Sequence, residues 1–134
     1  MINSARYLKG HPQSNGRLGA VGFCWGGGMV NHLAVTLGDE LAAGVPFYGA
    51  TPAAADMPRV RTPLLIHYAE DDERINAMWP AYQAALEASA APCGPPFYPG
   101  TRHGFHNNST PRYDEAAAKL AWERTLAFFG GRLR

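Results

Sequence analysis

Cysteine is scarce in this sequence: Cys24 and Cys93 are the only two in 134 residues. They lie far apart, and neither sits in a Cys-x-x-Cys pair or at zinc-ligand spacing, which argues against redox-motif and zinc-finger chemistry. The N-terminus, MINSARYLKGHPQSNGRLG, lacks the charged, then apolar, then small pattern of a secretory leader. Thiols in a reducing, cytoplasmic setting are therefore expected rather than a bridge. An excess of either charge is also missing. Twelve Lys and Arg against eleven Asp and Glu leave +1, with no basic run, so neither nucleic acid nor an acidic partner is expected. No apolar stretch approaches the ~20 residues that span a bilayer, and no membrane association is expected. Repeats and low-complexity tracts are absent.

What is present fits one globular domain over residues 1–134: 46% apolar and 17% charged residues, with enough chain for a modest core. Residues 5–9 end a helix, and GHPQSNG is the loop after it. Leu18–Phe23 reads as a buried strand. Trp25–Leu37 carries Met29, Val30, Leu33 and Leu37 at helical spacing, with Gly38 as its stop. Ala43–Gly49 is a second strand-like run and Pro63–Ala69 (PLLIHYA) the clearest, continuously apolar up to Glu70-Asp71-Asp72. Such runs suit parallel strands covered on both faces. A helix is expected from Asn76, as cap, to Ser89, with Pro80 tolerated near its first turn. Another is expected after Thr110 as cap and Pro111 at the first position, with Asp114 and Glu115 facing the dipole. Ala117, Leu120, Ala121 and Phe128 trace one stripe on it, and Trp122, Leu126 and Phe129 a second, predicting burial on more than one side. Between the two helices, SAAPCGPPFYPG (89–100) offers only Phe97 and Tyr98 as strand-like, because Pro92, Pro95 and Pro96 cannot serve a central ladder. The order of elements makes the fold class α/β, with a mostly parallel sheet and flanking helices.

One stretch points to chemistry. Gly22-Phe23-Cys24-Trp25-Gly26-Gly27-Gly28 places a single thiol between a strand and a helix among costly glycines. This is the layout of a nucleophile elbow, Gly-x-nucleophile-x-Gly, with cysteine in the place of serine. A helix N-terminus is expected to lower the thiol pKa, and the backbone N–H of Trp25 is aimed at charge developing on an attacked carbonyl. A buried structural cysteine would use the same glycines for tight packing.

A thiol nucleophile needs a base, and the base an orienting carboxylate. Asp72 ends the clearest strand and His103 follows in YPGTRHGFHN, before the last helix. Nucleophile, acid and histidine in that chain order, each after a strand, match the α/β-hydrolase arrangement. Taken singly, each has an ordinary structural reading; together and in order they favour catalysis. Glu70 and Asp71 compete with Asp72, and His106 with His103. His67, in mid-strand, and His32, on the helix after Cys24, are read as structural. A metal site from Cys24, His103 and His106 lacks a supporting motif, and no Gly-x-Gly-x-x-Gly is present for a dinucleotide.

At these residues the sequence resembles the dienelactone hydrolase family, the cysteine-dependent α/β-hydrolases with a Gly-x-Cys-x-Gly elbow. NGRLGAVGFCWGGGM, AAGVPFYG, PLLIHYAEDDERINA and the stretch from Tyr98 to Phe129 all look like family segments. The resemblance implies Cys24 as nucleophile, His103 as base and Asp72 as acid, the last because Glu73-Arg74-Ile75 follows it. It also implies hydrolysis of a small-molecule lactone or ester through an acyl-enzyme, with no cofactor and no metal. Against the family's usual length the chain is expected to begin about halfway, a partial α/β-hydrolase fold without its N-terminal strands. The second oxyanion donor, a thiol-controlling glutamate and a substrate-binding arginine would then lie outside it. The open edge of Leu18–Phe23 would be covered by another copy or a complementing chain. Asn107 stands where the type enzymes carry a further substrate arginine, which argues against dienelactone itself as substrate. The proline-rich stretch 89–98 has the family's length but foreign residues, as a local frameshift would produce. Two other readings follow from the same letters: a catalytically impaired remnant serving as a binding or assembly module, and a thiol-reactive protein.

Overall fold

The computed structural model describes residues 1–91, 93 and 96–134. In chain order the regular elements are α1 (Ile2–Gly10), β1 (Gly19–Phe23), α2 (Trp25–Leu37), β2 (Ala43–Phe47), β3 (Tyr68–Asp71), α3 (Glu73–Asn76), α4 (Trp79–Ala88), β4 (Phe97–Arg102) and α5 (Glu115–Arg132). Among the described residues every strand pairing is parallel, which suits the apolar run of β2. β1 pairs with β2 and β3 with β4. Single bridges from Gly44 to Leu64 and from Phe47 to His67 join the pairs into one layer ordered β1-β2-β3-β4.

Residues 64–69 alternate between the two faces. Leu64, Ile66 and Tyr68 pack with Leu33, Leu37 and Leu41, and with Trp79, Tyr82 and Leu86 of α4. Ala69 packs instead with Val45, Phe47 and Phe105, and with Ala121 of α5. Asn31, fully buried on α2, ties these parts together: its Nδ2 donates to Ala50 O (2.8 Å) and its Oδ1 accepts from the Tyr82 hydroxyl (3.1 Å).

Four boundaries differ from the sequence expectation, each for a local reason. The third strand runs on through the acidic Glu70 and Asp71, while Pro63–His67 meets β2 only through the two bridges and their flanking hydrogen bonds. Asn76 does not cap a helix. Asp72 caps the one-turn α3 by accepting from Ile75 N–H, and Asn76 Nδ2 donates back to the carbonyls of Ala69 and Glu70. α5 starts at Glu115 rather than after Thr110, because Asp114 accepts from Ala117 N–H at 2.9 Å and outcompetes the earlier cap. β4 extends to Arg102 despite Pro99, which is tolerated because among the described residues β4 pairs with β3 alone. Pro92 and Pro95 lie outside the described residues; the carbonyl of Pro96 accepts the Tyr68 N–H at 2.8 Å.

The last helix is not buried on two sides. Ala118, Ala121 and Thr125 face inward, whereas Leu120, Trp122 and Leu126 are 41%, 39% and 55% exposed. Val21 and Phe23 of β1 are exposed as well. None of the helices among the described residues is long and apolar enough to cross a membrane.

Candidate active site

The elbow is built by close backbone approach. Cys24 adopts φ 53°, a left-handed conformation that is costly for a side-chain-bearing residue, and its N–H donates to Phe47 O at 3.1 Å. A Cβ on Gly22 would stand 2.2 Å from the carbonyl oxygen of Gly26, so β1 and α2 can meet at this angle only with glycine there. Gly27 and Gly49 make the same kind of contact between α2 and the end of β2. Cys24 thus becomes the N-cap of α2, with an exposed free thiol and Trp25 at the first helical position. First-turn N–H groups such as that of Trp25 have no intrahelical acceptor. The Trp25 side chain itself is 79% exposed.

At the same C-terminal edge of the parallel strands, Asp72 follows β3 and His103 follows β4. Asp72 Oδ2 lies 2.5 Å from His103 Nδ1, while Oδ1 accepts from Ile75 N–H. The carboxylate is buried and the imidazole partly so. Glu70 and Asp71 point elsewhere: Glu70 accepts from Gly100 N–H at 2.7 Å, and Asp71 sits opposite Arg102 in the sheet, both exposed. His106 does not join His103. Its ring packs on Phe23 (5.1 Å), Phe47 (5.1 Å) and Trp122 (5.7 Å), and burial lowers its pKa.

Cys24 and His103 line one cavity of about 490 Å³, together with Met29, Tyr48 and Arg74. Cys24 also opens onto a wider cavity of about 700 Å³ walled by Phe23, Tyr48, His106, Tyr113 and Trp122. The thiol therefore stands at the junction of two hollows, room for a substituent on either side of an attacked carbonyl. Asn107 rims the wider one, its side chain accepting from Ser109 within its own loop.

The thiol pKa runs opposite to expectation. Burial pushes it up, Arg112 pulls it down, and the Asp72 carboxylate pushes it up again, leaving it raised.

One further residue lines the site. Tyr48, which the sequence pattern places only at the end of a strand, has φ 36°, is 1% exposed and lines both cavities. Its ring centroid lies 5.0 Å from that of His103, and burial, then the nearby Cys24, drive its hydroxyl pKa above the tyrosine range. The only sequence trace of this was the Tyr48-Gly49 pair closing a strand next to the elbow. Arg112 lines neither cavity, but its charge lowers the Cys24 thiol pKa.

His67 is packed, as read: Nδ1 meets the Tyr98 hydroxyl at 2.8 Å and Nε2 the Thr125 hydroxyl at 3.0 Å. His32 is not; it is exposed and rims the smaller cavity.

The family model described as the dienelactone hydrolase family matches residues 2–133. The carboxymethylenebutenolidase of Pseudomonas putida is 32% identical over 127 residues, covering 92% of this chain and 52% of that protein. A carboxymethylenebutenolidase homolog of Rattus norvegicus is 40% identical over 67 residues, or 50% of this chain and 26% of the relative. Among solved structures, the dienelactone hydrolase of Anabaena variabilis superposes with a TM-score of 0.78 over 99% of this chain and 58% of that one, at 21% identity. The chain spans about half the length of the Pseudomonas relative, and its architecture is that of an α/β-hydrolase fold in part.

Proposed function

This chain belongs to the dienelactone hydrolase family, and from the geometry around Cys24 we propose that it is a carboxymethylenebutenolidase-like hydrolase that cleaves a carboxylic ester or lactone through a Cys24 thioester. The observation that carries the reading is the 2.5 Å contact between Asp72 and His103, with His103 and the elbow cysteine lining one cavity. Asp72 fixes Nδ1, which leaves Nε2 to take the Cys24 proton. The sulfur attacks the carbonyl carbon, the C–S bond forms, and the oxyanion rests against the Trp25 N–H. His103 returns the proton to the leaving alkoxide as the C–O bond breaks. It then deprotonates water, which attacks the thioester and frees the acid and the thiol. A raised thiol pKa suits this scheme: a neutral resting thiol is drawn upon by its base during attack.

The same elevation disfavours the thiol-sensor reading, which needs a standing thiolate. A reducing compartment, the cytoplasm, keeps such a thiol usable. Within the described residues β1 pairs with β2 alone and leaves Val21 and Phe23 exposed, so the proposal includes a second chain, another copy or a complementing one, over that edge.

The test is release of p-nitrophenol from p-nitrophenyl acetate with protein in excess. Cys24→Ala and His103→Ala should each slow it by roughly 10² or more; rates unchanged in Cys24→Ala would refute ester cleavage by this thiol.

A further inference from the structure

We propose that Tyr48 is a further catalytic residue of this site: its hydroxyl, whose proton no described residue accepts, donates a hydrogen bond to the alkoxy oxygen of an ester held against Cys24, on the side of His103.

Cys24 and Tyr48 are neighbours by register. Phe23 pairs with Phe47 at the parallel ends of β1 and β2, so each of the two is the first residue beyond its strand. Both then turn left-handed, at φ 53° and φ 36°. Among the described residues they are the two that line both cavities. The Tyr48 ring, 5.0 Å from that of His103, sits on the imidazole side of the site, whereas the Trp25 N–H belongs to the start of α2. A left-handed tyrosine persists only where its surroundings fix it. Here they do: Tyr48 N–H donates to His67 O (2.7 Å), Gly49 O accepts the Tyr68 hydroxyl (3.5 Å), and Ala50 O accepts Asn31 Nδ2 (2.8 Å).

Buried tyrosines ordinarily give their O–H to a protein acceptor. Tyr68 donates to Gly49 O, Tyr82 to Asn31 Oδ1 (3.1 Å), and the Tyr98 hydroxyl meets His67 Nδ1 (2.8 Å). Tyr48 is as buried as these, yet its hydroxyl donates to no described residue. Nor is its oxygen sealed away: the fully buried side-chain polar atom left unpartnered among the described residues is Asn76 Oδ1. The His106 backbone beside it acts on the Tyr48 oxygen as a hydrogen-bond donor, which leaves the phenol proton free. Burial first, then the nearby Cys24, keeps that proton in place, so Tyr48 meets an ester as a neutral donor. When the C–O bond breaks, charge gathers on the alkoxy oxygen while His103 brings it a proton. A hydrogen bond already aimed there lowers the barrier, and the Tyr48 proton stays on its own oxygen throughout. The gain is large for a poor leaving group and small for one that carries the charge unaided.

This assignment rests on Cys24 attacking the ester, and the experiment lets the two fail separately. Single-turnover rates are measured on the full chain with phenyl acetate and with p-nitrophenyl acetate, which share an acyl group and differ in the leaving phenol. Tyr48→Phe should slow phenyl acetate about tenfold or more and p-nitrophenyl acetate much less. Its Cys24 should react with iodoacetamide as the wild type does, because no alkoxide leaves in that reaction. Tyr98→Phe, which removes a buried hydroxyl outside both cavities, should keep both ester rates and lose thermal stability instead. Tyr48→Phe gives up no hydrogen bond to a described acceptor and should melt close to the wild type. Three results overturn the assignment: both esters unchanged or slowed equally in Tyr48→Phe, alkylation falling as far as phenyl acetate cleavage, or a Tyr48→Phe that is unfolded or melts below Tyr98→Phe. Cleavage as fast in Cys24→Ala as in the wild type refutes the hydrolase reading, and this assignment falls with it.

Discussion

Asp72 serves two partners with its two oxygens: Oδ2 meets His103 Nδ1 at 2.5 Å, while Oδ1 caps α3 through the Ile75 N–H at 3.4 Å. Asparagine can keep the cap but not the negative charge. Asp72→Asn is therefore expected to cost about 10²–10⁴ in kcat/KM with little change in Tm, whereas Asp72→Ala loses the cap as well, about 1 kcal/mol of stability. Steady-state kinetics and thermal melts on both variants separate the roles.

Gly22 is set by its distance to Gly26. Any Cβ there meets a backbone carbonyl at 2.2 Å, which no side-chain adjustment relieves. Gly22→Ala should destabilise by about 1–3 kcal/mol or more and misplace the elbow. Gly26→Ala, where nothing lies within 4 Å, should be tolerated. Chemical denaturation of the pair reads the difference.

His67 sets an acid limit on the fold. Burial first, then the charge of Arg124, lowers its pKa from 6.5 to about 3, so it stays neutral between the Tyr98 and Thr125 hydroxyls. Below pH 6.5 the unfolded chain takes up a proton that the folded chain refuses until about pH 3. Stability should thus fall through that window, by up to about 5 kcal/mol. His67→Gln should flatten this limb of the stability–pH curve, measured by urea unfolding at stepped pH.

Cys24 should behave as a protonated thiol at neutral pH. Its alkylation by iodoacetamide is expected to keep rising beyond the ordinary cysteine pKa, since burial and Asp72 outweigh Arg112. A plateau reached below that range, in a pH–rate series on the Cys24 peptide, would show a stabilised thiolate instead.

Sequence reasoning reached β1, α2 and β2 because their signals are local: apolar runs, helical spacing and Gly38 as a stop, where the backbone indeed turns to φ 51°. It misplaced the start of α5 because Thr110 and Asp114 both suit an N-cap, and only the turn Asn107–Asp114, stapled to Gly104 and Phe105, selects the second. It read two buried faces on α5, where the fold covers one and leaves Trp122 and Leu126 outside. For the site, chain order and strand ends singled out Cys24, Asp72 and His103. Tyr48 was not legible, because a left-handed tyrosine arises from tertiary contacts that no spacing encodes.

The central claim is a covalent one. Acid-quenched reactions with p-nitrophenyl acetate, digested and mapped by mass spectrometry, should show an acetyl group on the Cys24 peptide of the wild type and none there in His103→Ala. Release of p-nitrophenol with the acetyl on another residue, or with equal labelling of Cys24 in both proteins, would contradict the account.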